Sequence, residues 1–253
     1  MEYSEIPTTK ISGSGRITVP PYGMFKISGS GYISPEEITT SGSSRIPGGL
    51  KIGEFRSSGS THIEGDITAD TVKFSGSARI DGVLTCDELK SSGSTQIDKD
   101  LKIKYGKVSG STKVEGAGFI ERELESSGSI RFGGDLVSEE KIMYSGVMRV
   151  EGKVKAKSFE ARLSHDESLI RGGIDAGYIN IQLSHDDWRN RGALYTSDIV
   201  GDEIVLENVE CDNVKGRKVT ILSGCTIKGT VQYSDSVKVN PSSRLEKEPE
   251  KIE

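Results

Sequence analysis

The sequence predicts an all-β protein, a parallel β-helix of triangular cross-section with coils of 17 to 18 residues. Three observations carry this. First, Ser-Gly-Ser returns with glycines at 59, 76, 93 and 110, each step being 17 residues. The same tripeptide surrounds Gly13, Gly29, Gly42 and Gly128, with Ser145-Gly146-Val147 as a looser copy, and the later steps lengthen to 18. Self-similarity at a fixed period marks a structural unit that buries its apolar face only by stacking on its neighbours. Second, the fourth residue after each glycine is apolar: Ile17, Ile33, Ile46, Ile63, Ile80, Ile97, Val114, Phe132 and Val150. Third, helix-forming runs are absent, and a hydrophobic content of 33% suits the thin core of a solenoid better than that of a globular enzyme.

Within one coil, positions eight and ten after the glycine continue the pattern, as in Leu50 with Ile52, Leu84 with Cys86, and Leu101 with Ile103. Period-two alternation means strand. A further apolar pair precedes the next glycine, as in Val72 with Phe74 or Phe159 with Ala161. A coil therefore holds three short strands separated by turns, which describes a triangle. Gly59, Gly76, Gly93, Gly110 and Gly128 are the expected corners, because a turn between strands commonly needs positive φ and glycine reaches it without steric cost. The second glycine of each coil (Gly48, Gly65, Gly82, Gly116, Gly134, Gly152) marks the next corner. A flexible linker would also be rich in Ser and Gly, but it would not carry an aliphatic residue at a fixed offset.

Taken in order, residues 1–10 have no period and read as an extended lead-in. Coils are expected from Ile11 to about residue 240 in one elongated domain, although the first steps are irregular (16, then 13) and interrupted by Pro20-Pro21. Position three is mostly basic (Arg16, Arg45, His62, Arg79, Lys113, Arg131, Arg149) and position five often acidic (Glu64, Asp81, Asp98, Glu115, Glu151). Like charges repel at stacking distance, so adjacent basic and acidic stripes read as reciprocal pairing, with a ligand-binding face as the alternative. From 163 to 197 the corners become irregular, with a step of 20 and a loop around Trp188. Ser164-His165-Asp166 recurs there as Ser184-His185-Asp186. Two stacked His-Asp pairs could bind a divalent metal or move protons; a polar corner repeated with the coil is the simpler reading. Strands resume at Asp198, and residues 241–253, with Lys-Glu-Pro-Glu-Lys, have little to bury and are expected to form a disordered charged tail.

The net charge of −5 gives no global attraction to nucleic acid or to an anionic membrane. No apolar run is long enough for a signal peptide or a spanning helix. Cys86, Cys211 and Cys225 lack metal-ligand spacing and read as small buried hydrophobes in a reducing cytoplasm. No phosphate-cradling G-x-x-x-x-G-K-[ST] loop is present, so nucleotide dependence is not expected. Neither a cofactor, a metal nor a catalytic residue is assigned.

The Ser-Gly-Ser-x-x-Ile-x-Gly units between 42 and 152, followed by Gly201-Asp-Glu-Ile-Val-Leu-Glu-Asn-Val209, Val214-Lys-Gly-Arg-Lys-Val-Thr-Ile221, Gly224-Cys-Thr-Ile227 and Val231-Gln-Tyr-Ser-Asp235, resemble the bactofilins. The likeness is to the longer polymer-forming cytoskeletal proteins of Gram-positive bacteria. It implies a right-handed β-helix and a cytoplasmic protein that polymerises with copies of itself and positions other cytoskeletal or cell-envelope proteins. Members often reach the membrane through a short apolar N-terminal segment, for which Met1, Tyr3 and Ile6 are too sparse.

Independently of that resemblance, a β-helix leaves an unpaired strand edge at both ends, which natural proteins normally cap. No capping helix is visible, so end-to-end assembly is expected. The contacts would be Ile11, Ile17 and Ile27 in the N-terminal coil, and Val231, Tyr233, Val237 and Val239 in the C-terminal coil. The rivals are a β-helical carbohydrate-active lyase or hydrolase, or a polysaccharide-binding protein; an enzyme would need carboxylates and bases clustered in a groove. A hexapeptide-repeat acyltransferase is disfavoured, because aliphatics at 63, 67, 72 and 80 do not recur every six positions.

Overall fold

The computed structural model describes residues 2–184 and 192–253, and every regular element in them is a β-strand. Strands of successive coils pair in parallel, which establishes the parallel β-helix. The chain divides into two compact units, Met1–Ile120 and Glu121–Glu253.

The first unit opens differently from the expectation. β1 (Thr9–Val19) and β2 (Gly23–Ile33) form an antiparallel hairpin, and β2 pairs antiparallel with β3 (Glu37–Pro47). Gly13, Gly29 and Gly42 lie side by side in this register. Coils therefore do not begin at Ile11. The steps of 16 and 13 reflect a chain that reverses at Pro20-Pro21-Tyr22 and again before Glu37, where an antiparallel partner needs only a short turn and a parallel one needs a full circuit. Residues 3 and 4 complete the first layer. Ser4 N–H donates to Lys51 O (2.7 Å), Lys51 N–H donates to Ser4 Oγ (2.8 Å), and Tyr3 O–H donates to Asp70 Oδ2 (2.5 Å).

From β3 onward the parallel ladder is strict. β3 pairs with both β4 (Leu50–Ser57) and β5 (Ser60–Glu64), and β4 pairs with β6 (Ile67–Phe74). The same register carries through Leu84–Ser91 to Leu101–Val108. The position-four residues Ile46, Ile63, Ile80, Ile97 and Val114 are fully buried, so this column is the core. Phe55 and Phe74 meet edge to face at 5.8 Å beside it. Each coil has three buried faces but only two bends. The third corner lies inside a continuous strand: in β6, Ile67 and Ala69 face inward, Asp70 and Thr71 both face outward, and Val72 and Phe74 face inward again.

The corner glycines sit at the bends as expected, but for a different reason. Positive φ occurs at Gly13, Gly29, Gly42 and Gly65, and not at Gly59, Gly76, Gly93 or Gly110. These last four are required by proximity. A Cβ on Gly93 would stand 1.9 Å from Gly76 O, and one on Gly76 would stand 2.1 Å from Gly59 O. The column of glycines lets coil backbones touch where a side chain would hold them apart.

The second corner carries a device that sequence reading missed. Asp66 Oδ1 accepts from Val83 N–H (2.8 Å), Asp100 Oδ1 from Ala117 N–H (2.9 Å), and in the second unit Asp135 Oδ1 from Lys153 N–H (2.8 Å). A Cβ on Gly82, Gly116 or Gly152 would meet that carboxylate oxygen at 2.1 to 2.2 Å, so each aspartate needs the glycine of the next coil. The signal was present as Asp at position seven. Asp100→Ala is expected to cost about 1.5–3 kcal/mol, the usual range for a hydrogen bond to a charged group. Asp87→Ala, which removes a surface pair with Lys104 at 3.1 Å, should stay within about 0.5 kcal/mol of wild type in urea unfolding.

In the second unit all the pairings are likewise parallel. Ser129–Phe132 stacks on Val147–Val150, and Val154–Leu163 on Ile174–Leu183 with a step of 20, as expected. Next come Ile199–Leu206, Val214–Ile221 and Val231–Val239. Phe132, Tyr144 and Phe159 fill the core, Tyr144 and Phe159 at 5.8 Å. Cys86 in the first unit, and Cys211 and Cys225 here, are free and buried. Burial pushes all three thiols up, Cys211 to about 12, which makes them poor nucleophiles. The segment expected to be a disordered tail instead supplies part of a last coil. Arg244–Leu245 pairs with Thr226–Ile227, and Glu250–Lys251 pairs with Gln232–Tyr233.

Candidate functional site

The charged stripes resolve into reciprocal ion pairs. A base at position three of one coil reaches the acid at position five of the next: Arg45 to Glu64 (3.3 Å), His62 to Asp81 (2.8 Å), Arg79 to Asp98 (2.7 Å) and Arg131 to Glu151 (3.3 Å). Arg79 also holds Asp81 at 3.0 Å within its own coil, as Lys113 holds Glu115. This diagonal lacing is the simpler of the two readings weighed for the stripes.

A second basic column, at position fourteen, went unnoticed in the sequence although it also recurs every 17 residues. Arg56, Lys73, Lys90 and Lys107 stack in direct register and line a recess of 460 Å³ with Ser58, Ser75 and Ser92. Here too the carboxylates are close. Glu54 takes both Arg56 (2.7 Å) and Lys73 (2.8 Å), and Glu88 takes Lys90 (2.6 Å). The hydrogen bond from Arg56 holds the Glu54 carboxyl down to about 2.

The expected assembly residues fall into two groups. At the N-terminal end the hairpin covers the first coil: Ile11 and Ile27 are buried and Ile17 is half-buried. They are not the bare apolar residues of an uncapped coil, because β1 and β2 pack over one another and over β3. What remains open there is the outer edge of β1, which pairs only with β2 among the described residues. At the C-terminal end, Val231 is buried beneath the returning tail, Tyr233 and Val237 are half-buried, and Val239 is 37% exposed. Beyond Tyr233 that strand has no partner on its outer side among the described residues. Val237 continues the core column of Ile179, Ile204 and Val219, and it is the member that no further coil covers among the described residues.

The Ser-His-Asp corner is placed only in part. His165 and Asp166 are exposed at a bend, and Leu163 pairs with Leu183, so the two motifs follow equivalent strands. His185, Asp186 and Trp188 lie outside the described residues. Among the described residues, no three His, Cys, Asp or Glu side chains gather as a metal site, and no helix is long and apolar enough to cross a membrane.

Among curated proteins, the chain is similar to the uncharacterized protein YhbF of Bacillus subtilis (strain 168), with 32% identity over 95 residues. That stretch is 37% of this chain and 40% of the relative, so the chain spans less than half the length of the protein it matches. No protein-family model matches the chain. No solved structure matches it either.

Proposed function

We propose that the protein is a structural scaffold of the bactofilin kind, which assembles end to end into filaments without nucleotide and positions other proteins along them. The observation that carries this reading is the C-terminal coil. Its strand Val231–Val239 ends with an unpaired outer edge and with core-column side chains that only another coil would cover. Open edges of this kind are normally blunted by charge, proline or a covering element. The unpaired outer edge of β1 supplies a second surface of the same chemistry, and backbone pairing of one edge on another gives affinity without a nucleotide. A contact between two different surfaces is heterologous, and it propagates as an open filament when the rotation does not close. The 17-residue repeats that resemble bactofilins add to the same reading. Electron microscopy and sedimentation of the purified full chain, without added nucleotide, should show filaments. A monodisperse monomer at the same concentration would refute the proposal.

A further inference from the structure

The base column that begins at Arg79 and His62 continues upward across the hairpin. Arg45 on β3 pairs with Lys26 on β2, and Lys26 pairs with Arg16 on β1. Every lower member has a carboxylate, as described above. Arg16 and Lys26 have no ion pair among the described residues. The acid stripe stops at Glu64, because the residues that would extend it are Pro47, Met24 and Thr18, and residues 9–33 contain no Asp or Glu at all. The same face carries a parallel rank of hydroxyls, Ser14, Ser28, Ser43 and Ser60, in direct register. Bases and hydroxyls together line a recess of 620 Å³. Where the lower members of this column each meet a carboxylate, its upper end presents two bases without one beside donors able to hydrogen-bond an anion's oxygens.

We propose that this recess binds the phosphate groups of a linear polyanion. Neighbouring strands lie roughly 4.8 Å apart, so the basic side chains from Arg16 to His62 span roughly 14 Å, a row that suits successive phosphates better than one isolated anion. Arg16 and Arg45 offer forked donors to phosphate oxygens, and the serine hydroxyls complete the shell of each group.

The test uses the full chain and fluorescently labelled inorganic polyphosphate, followed by anisotropy at several salt concentrations. Wild type should bind saturably, with affinity falling steeply as salt rises, as displacement of counterions requires. Arg16→Glu with Lys26→Glu should weaken binding at least tenfold, and Arg16→Gln with Lys26→Gln should weaken it by about threefold. Lys155→Glu with Lys157→Glu, which makes the same change in net charge on exposed residues of the second unit away from the C-terminal strand, should bind like wild type. Circular dichroism checks that each variant is folded. Absence of saturable binding to wild type, or an equal loss in the Lys155/Lys157 variant, would overturn the proposal. So would displacement by orthophosphate at equal phosphorus concentration, which indicates a single-anion site. Binding to phosphatidylglycerol vesicles without binding to polyphosphate would also overturn it and assign the recess to a lipid surface.

Discussion

Replacing Gly93 with valine is expected to destabilise the first unit by at least about 3 kcal/mol, in the range reserved for steric conflict in a packed interior. The added Cβ would lie 1.9 Å from Gly76 O, and that oxygen is not free to retreat. It accepts the Ser94 N–H at 3.0 Å, as Gly59 O accepts Ser77 N–H at 3.0 Å. Relieving the clash means parting two coils along a corner and breaking the backbone bonds there, and the next coil shares the same constraint at Gly110, where a Cβ would meet Gly93 O at 2.0 Å. Thermal unfolding followed by circular dichroism should shift down by about 6 °C or more. Gly13→Ala is the informative comparison. Gly13 has a φ of 88° but nothing within 4 Å of its Cβ position, so only the left-handed backbone is strained, at about 1–2 kcal/mol. If the two variants lost equal stability, backbone conformation and not coil contact would be the reason for glycine at Gly93.

Val237→Arg is expected to abolish filaments while leaving a folded, β-rich chain. Val237 pairs with Val219 on its inner side and is half-buried on the other. In an assembled joint the guanidinium would be enclosed beneath the next copy with no carboxylate partner, at a cost of a few kcal/mol. Each 1.4 kcal/mol is a factor of ten in affinity, so the concentration needed for growth should rise by roughly a hundredfold or more. In the isolated chain the same arginine reaches water past Val239, and a solenoid whose stability is a sum over neighbouring coils loses only part of its last term. Sedimentation separates the outcomes: soluble monomers or dimers support a C-terminal joint, whereas normal filaments from Val237→Arg and from Ile17→Arg alike would move the contact to the lateral faces.

The parallel coils were legible because one offset repeats. Ile63, Ile80 and Ile97 occur at the same distance from a glycine, and only a stacked structure makes that spacing useful. The hairpin was not legible by the same count. Arg16 stands three residues after Gly13 like the lower bases, but Lys26 is related to it by reflection about the Pro20-Pro21 turn and not by translation, so a search for a fixed period passes over Lys26. Ser-Gly-Ser at Gly13 and Gly29 looked like two more coils because the tripeptide suits a close backbone approach in either direction of pairing. The Asp66, Asp100 and Asp135 bonds hide in a polar position that composition alone would give to solvent; their meaning appears only when each is paired with the glycine sixteen or seventeen residues on. The tail was misjudged because its charged residues outnumber its apolar ones. Yet Leu245, half-buried, lies in one short strand pair, and Ile252, also half-buried, follows the other and donates its N–H to Tyr233 O at 2.8 Å, and backbone pairing needs little more.

The contacts of Tyr3 and Ser4 also bear on the order in which the chain is made. These residues leave the ribosome 67 and 47 positions ahead of their partners, so they have nothing to hold until Asp70 and Lys51 have followed them. At roughly 5–20 residues per second the interval is on the order of several seconds. During it, Ile6, which is buried in the finished fold, has no cover. Each parallel coil can close on the previous one as soon as it emerges, so a segment synthesised ahead of the coils is among the last of the first unit to dock. A chaperone or a neighbouring nascent chain acting in that interval would compete with Tyr3 and Ser4 for the Lys51 strand.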